Sequence, residues 1–140
     1  MSVLLFLTME KSNHSEKSQP TKFSFLKRIV SCGHAFNGLK ILIKEEHNAW
    51  IHLVAAFCVV IAGVVFHIST IEWVVVIFCI GLVFALELMN SAIENTADLI
   101  SKEQNEIIKN IKDLSAGAVL VAAIGSVVIG MIIFLPKILQ

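Results

Sequence analysis

Cysteine is scarce and unpatterned: Cys32, Cys58 and Cys79 are an odd number without CxxC spacing, and two of them sit in apolar runs. Neither a disulfide framework nor a zinc site follows from that arrangement. An excess of one charge is also missing. Eleven basic residues balance eleven acidic ones, which offers nothing to a polyanion, so no nucleic-acid partner is expected. The two common phosphate-cradling loops, GxxxxGK followed by Ser or Thr and GxGxxG, do not occur. Charge itself is thin, at 16% of 140 residues against 56% hydrophobic ones, with a mean hydropathy of +0.82. A soluble domain of this size has too little interior for that much apolar surface, so the solvent of this chain is lipid.

What is present is ordered along the chain. Val3 to Leu7 is a short apolar stretch with no basic residue before it and no small-residue cleavage site after it, a weak signal-peptide candidate. Met9 follows directly and is expected to be the true start. Residues 1–22 are expected to form a disordered polar tail, with KSNHSEKSQPT over 11–21 as its core. Over about 23–45, Phe25, Ile29, Cys32, Phe36, Leu39 and Ile43 recur at steps of four and three, with Lys27, Arg28, Lys40 and Lys44 supplying positive charge. This spacing predicts an amphipathic helix suited to an anionic membrane surface.

Three membrane-length segments follow. Residues 49–71 carry no acid, lysine or arginine, 71–100 turn polar after Ala85, and 114–135 carry no charge at all. At about 1.5 Å of rise per residue each can cross a hydrocarbon core of about 30 Å. The fold expected is therefore all-α and integral to the membrane, with three transmembrane helices and an amino-terminal surface helix, residues 23–140 forming one domain. Lys22, Lys27, Arg28, Lys40 and Lys44 precede the first span, and Lys102, Lys109 and Lys112 separate the second from the third. The amino terminus and the second connection are expected in the cytoplasm, with Lys137 alone arguing otherwise.

Acids inside a span are costly and need a reason. Glu87, Asn90, Ser91, Glu94 and Asp98 lie at offsets that place them within a sector of roughly 100° on one helix. Glu87 falls roughly 24 Å along its span by the helical rise, near the cytoplasmic interface. Glu45 and Glu46 before the first span, and Lys112 with Asp113 before the third, reach the same level. Carboxylates from separate segments without a thiolate are hard oxygen ligands suited to magnesium bridged to phosphates. A further carboxylate among them can take a proton from a hydroxyl. The residues alone leave three readings open: a site for phosphate chemistry, a small oligomeric ion channel or proton relay, and acids that only bind neighbouring helices.

The run ELMNSAIENTAD, Glu87 to Asp98, resembles the signature E-x-x-N-S/T-A-I-E-x-x-x-D of the small bacterial integral-membrane lipid kinases, the diacylglycerol kinase and undecaprenol kinase family. Agreement extends to Lys112-Asp113 with the small run Ser115 to Ala118, and to Glu46, Asn48 and His52. The resemblance implies a homotrimeric kinase with composite sites in the bacterial inner membrane, active on the cytoplasmic side in phospholipid and cell-envelope lipid metabolism. ATP and magnesium are implied with it, and a membrane lipid alcohol, undecaprenol or diacylglycerol, as acceptor. Carried over by position, Glu87 is the general base, and Glu46 and Glu94 hold the metal on the nucleotide. Asn90 and Asp98 support the site, and Lys112 and Asp113 contact the nucleotide, with His34 and Glu103 near it. Lys27, Asn48 and His52 match positions near the lipid. His52 replaces a glutamate of the diacylglycerol-specific branch, and with Asn48 it is similar to the undecaprenol kinase branch. Asn105 stands where the family often has histidine. Because three spans are too few to enclose a polar stripe, neighbouring subunits are expected to cover Glu87, Asn90 and Glu94.

Overall fold

The computed structural model describes residues 24–100 and 105–139. The polar tail and Glu103 lie outside the described residues. So does the side chain of Lys27, although its backbone is helical. The chain divides into two compact units, Met1–Gly33 and His34–Gln140, and the second carries every candidate site residue except Lys27. Four helices follow in order: α1 Phe25–Glu45, α2 His47–Val65, α3 Thr70–Ile100 and α4 Glu106–Ile138. The last three are long and apolar enough to cross a membrane.

Each boundary has a local cause. Glu46 breaks the run between α1 and α2 by taking an extended conformation, φ −104° and ψ 115°, while the indole Nε1 of Trp50 donates to the Ile43 carbonyl at 2.8 Å across the break. Helix α2 ends at Val65, earlier than the apolar run suggests, because His67 adopts a left-handed φ of 48°. His67 N–H then bonds the Val64 carbonyl and Ile68 N–H the Gly63 carbonyl, the double bond of a Schellman stop. Ser69 starts α3 with a reciprocal cap. Its backbone N–H donates to Glu72 Oε2 at 2.7 Å and its hydroxyl faces the Glu72 N–H at 3.4 Å. Asn105 caps α4 by accepting from the Ile107 N–H at 2.9 Å. The polar residues 106–113 thus extend α4 below the uncharged stretch.

Helix α3 packs along α4 and, less extensively, against α2. Ile68, Val76 and Ile133 form a small buried cluster at the end holding the α2–α3 turn, flanked by Phe66, Trp73 and Phe134. Gly63 is required there, since a Cβ would lie 2.8 and 2.9 Å from ring carbons of Trp73. An ion pair fastens each end of the α3–α4 pair: Lys137 to Glu72 at 3.3 Å, and Lys112 to Asp98 at 2.5 Å. Large apolar side chains such as Phe57, Ile71, Phe78 and Val121 point outward, as lipid solvent requires.

Candidate active site

Three helices supply the site at the end away from the α2–α3 turn. Glu87 is placed on the inner face of α3 with 2% exposure, and Asn90 and Ser91 follow at 6% each. The enclosure expected of neighbouring subunits is therefore achieved within one chain for Glu87 and Asn90. The physical reason is that α2 and α4 each bring a polar partner across. His52 Nε2 of α2 lies 3.0 Å from Glu87 Oε1. Ser115 of α4 shares its hydroxyl proton between Asn90 Oδ1 at 2.6 Å and the Lys112 carbonyl at 2.9 Å. Among the described residues no buried side-chain nitrogen or oxygen is left without a partner.

Asn90 turns its other end to Glu94, donating from Nδ2 to Oε1 at 2.9 Å. A carboxylate only accepts, so the amide nitrogen has to face it. Glu94 is half-buried and Asp98, one turn further on, is open to solvent. The stripe thus grades from an enclosed carboxylate to a wet one over Glu87, Glu94 and Asp98. Glu46 stands half-buried at the α1–α2 break.

The remaining sequence candidates are dispersed. Lys112 is engaged with Asp98. Asp113 is exposed on α4 and lines a shallow groove with Asn110, Gly117 and Ala118. His34 and Asn48 are exposed. A cleft of about 590 Å³ between α2, α3 and α4 is lined almost wholly by hydrocarbon, including Val59, Val76, Val83 and Phe134, and His52 belongs to its wall. Two features escaped the sequence reading. Ser115 counted there only as part of a small-residue run, though its position three residues after Lys112 on one helical face carried the signal. The bond between His52 and Glu87 depends on how α2 meets α3, which no spacing within one helix reveals.

A buried carboxylate with one oxygen held, a second carboxylate braced by an amide, and a lysine–aspartate pair at the exposed edge make an acidic cluster at the end of the helices away from the α2–α3 turn. The sequence profile of the prokaryotic diacylglycerol kinase family matches residues 33–134. The chain belongs to that family. Its relatives include the undecaprenol kinase of Bacillus subtilis, 44% identical over 81% of this chain and 89% of that protein. The diacylglycerol kinase of Synechocystis is 35% identical over 80% of this chain and 65% of its own length. That of Haemophilus influenzae is 36% identical over 76% and 91%. Membership in the diacylglycerol kinase family makes the chain an enzyme, a membrane lipid kinase.

Proposed function

We propose that this kinase transfers the γ-phosphoryl group of ATP to the hydroxyl of undecaprenol, with diacylglycerol as the weaker acceptor. The observation that carries the proposal is Glu87: a carboxylate with 2% exposure, braced by a histidine and set among apolar helices. In that place it can accept the proton of a lipid alcohol at the membrane boundary. As the acceptor oxygen bonds to the γ-phosphorus and the bond to the ADP oxygen breaks, the hydroxyl proton passes to Glu87 Oε2. Oε1 stays with His52. Positioning and charge neutralisation supply most of the rate in such a transfer.

Glu46 and Glu94 are the residues that would hold a magnesium ion carried by the nucleotide. Among the described residues no three His, Cys, Asp or Glu side chains gather into a cage. Two carboxylates nevertheless fit, because magnesium keeps waters and phosphate oxygens for most of its shell. When bound it neutralises charge on the phosphates. Asn90 orients Glu94, Asp98 holds Lys112 near the nucleotide end, and Asp113, His34, Glu103 and Lys27 complete the surroundings of nucleotide and lipid as the resemblance implies. Asn48 and His52 favour undecaprenol, as does the 44% identity to an undecaprenol kinase.

The same reading makes α1 an amphipathic helix on the cytoplasmic surface of the bacterial inner membrane, and the enzyme a homotrimer. The lysine-rich flanks of the first span and of the second connection support that orientation. The test is purified protein in bilayers with radiolabelled ATP and a mixture of undecaprenol and diacylglycerol. Label in an organic-extractable product, mostly on undecaprenol, is the expected result. A diacylglycerol preference overturns the acceptor assignment, and ion flux without label overturns the kinase.

A further inference from the structure

Glu87 is a long side chain with three rotatable bonds, enclosed by residues that are mostly hydrocarbon. Apolar contact fills space around a carboxylate without fixing which way its oxygens point, whereas a hydrogen bond does both. The structure gives Glu87 that bond from a different helix: His52 Nε2, 3.0 Å from Oε1. An ionised carboxylate accepts and cannot donate, so the proton of this bond sits on Nε2. His52 is only partly exposed, at 22% of its side chain, and it also walls the apolar cleft between α2, α3 and α4.

We infer that His52 is a positioning residue of the phosphoryl transfer: its Nε2–H holds Oε1 of Glu87 so that Oε2 alone is presented to the acceptor hydroxyl. The inference rests on the reading of Glu87 as the base. It assigns His52 a task distinct from touching the lipid, because its effect passes through Glu87. A base whose oxygen is free to rotate away spends less time aligned with the hydroxyl, and misplacement on the scale of an ångström lowers turnover about a hundredfold. An effect that passes through the orientation of Glu87 acts on the proton transfer and not on how tightly either substrate is held, so that loss falls on kcat, whereas a direct lipid contact by His52 would fall on the lipid KM.

The experiment compares full-length wild type, His52→Ala, His52→Gln, Glu87→Gln and the double variant His52→Ala/Glu87→Gln in the same bilayers, reading kcat and both KM values. His52→Ala is expected to lower kcat by about ten- to a hundredfold with the KM for ATP and for lipid changed by less than about twofold. His52→Gln keeps a side-chain N–H donor and is expected to restore most of that loss, which also shows that the site tolerates a change at this position. The double variant is expected to be no slower than Glu87→Gln alone, since two residues acting as one unit are not additive. A kcat for His52→Ala within about twofold of wild type, a loss confined to the lipid KM, or a His52→Gln as slow as His52→Ala each overturns the inference. Glu87→Gln alone reports on the base: if it turns over normally that reading fails and the inference falls with it, whereas a slow Glu87→Gln beside a His52→Ala as fast as wild type overturns the inference alone.

Discussion

Burial sorts the three acids of the α3 stripe, Glu87, Glu94 and Asp98, into different surroundings. Glu87 at 2% exposure meets little water, while Glu94 is half-buried and Asp98 open, which on the proposed function sets the first toward the lipid hydroxyl and the other two toward the nucleotide. Replacing Glu87 with glutamine keeps shape and the contact with His52 but removes the ability to take a proton. Turnover is expected to fall by about 10² to 10⁴ with ATP binding retained, measured by initial rates alongside nucleotide titration. Glu94→Gln and Glu46→Gln are expected to behave differently: weaker metal binding raises the magnesium needed for half-maximal rate, so activity partly returns at high magnesium. An unchanged magnesium dependence in both would remove them from the metal. The stripe itself was legible in the sequence because one helix carries it and its period is fixed. Its partners were legible only in part. His52 and Ser115 belong to other helices, and which of their neighbours faces Glu87 or Asn90 is decided by packing.

Among the elements, the hydrocarbon-crossing stretches could be read directly, since apolar length is a one-dimensional signal. The ends could not. Helix α4 begins at Glu106, before the uncharged stretch, because a membrane selects for hydropathy and not for where helical bonding stops. The Ser69 and Glu72 pair at i and i+3 is a readable cap, whereas the left-handed His67 is not announced by a glycine or asparagine. Asn105 sets the start of α4 by capping it, a structural duty for a residue that the sequence reading marked only as a departure. Gly63 offers the sharpest test at this scale. A methyl group there meets the Trp73 ring at 2.8 Å, and overpacking of this kind costs about 1–3 kcal/mol. Gly63→Ala is expected to lower the melting temperature of the detergent-solubilised enzyme, and the further change Trp73→Phe to recover part of it. An unchanged melting temperature would show that the α2–α3 turn gives way freely.

At the scale of the whole molecule, the acids fall into two groups by what they touch. Glu87 and Glu94 stand on α3 of one chain with Glu46 at the α1–α2 break, and the proposal takes these three as one half of a site. Asp98 has an exposed side chain, 63% accessible, tied to Lys112, and the next residue of α4, Asp113, lines an open groove. On the proposal of a homotrimer with composite sites, a neighbouring subunit would complete the nucleotide site at this exposed edge. Glu46→Gln, assayed at a low magnesium concentration where it is inactive, and Asp98→Asn are then expected to regain activity when their subunits are mixed. With random mixing in equal amounts, about a quarter of sites receive both intact halves in a closed ring of identical interfaces. Mixing Glu46→Gln with Glu87→Gln, whose lesions share one half, should restore nothing and serves as the control. Subunits would be dissociated in denaturing detergent, combined, reassembled and assayed, with co-assembly verified by two affinity tags. Tagged mixtures of Glu46→Gln and Asp98→Asn that co-purify yet stay as inactive as either parent would place both residues in a site made by a single chain.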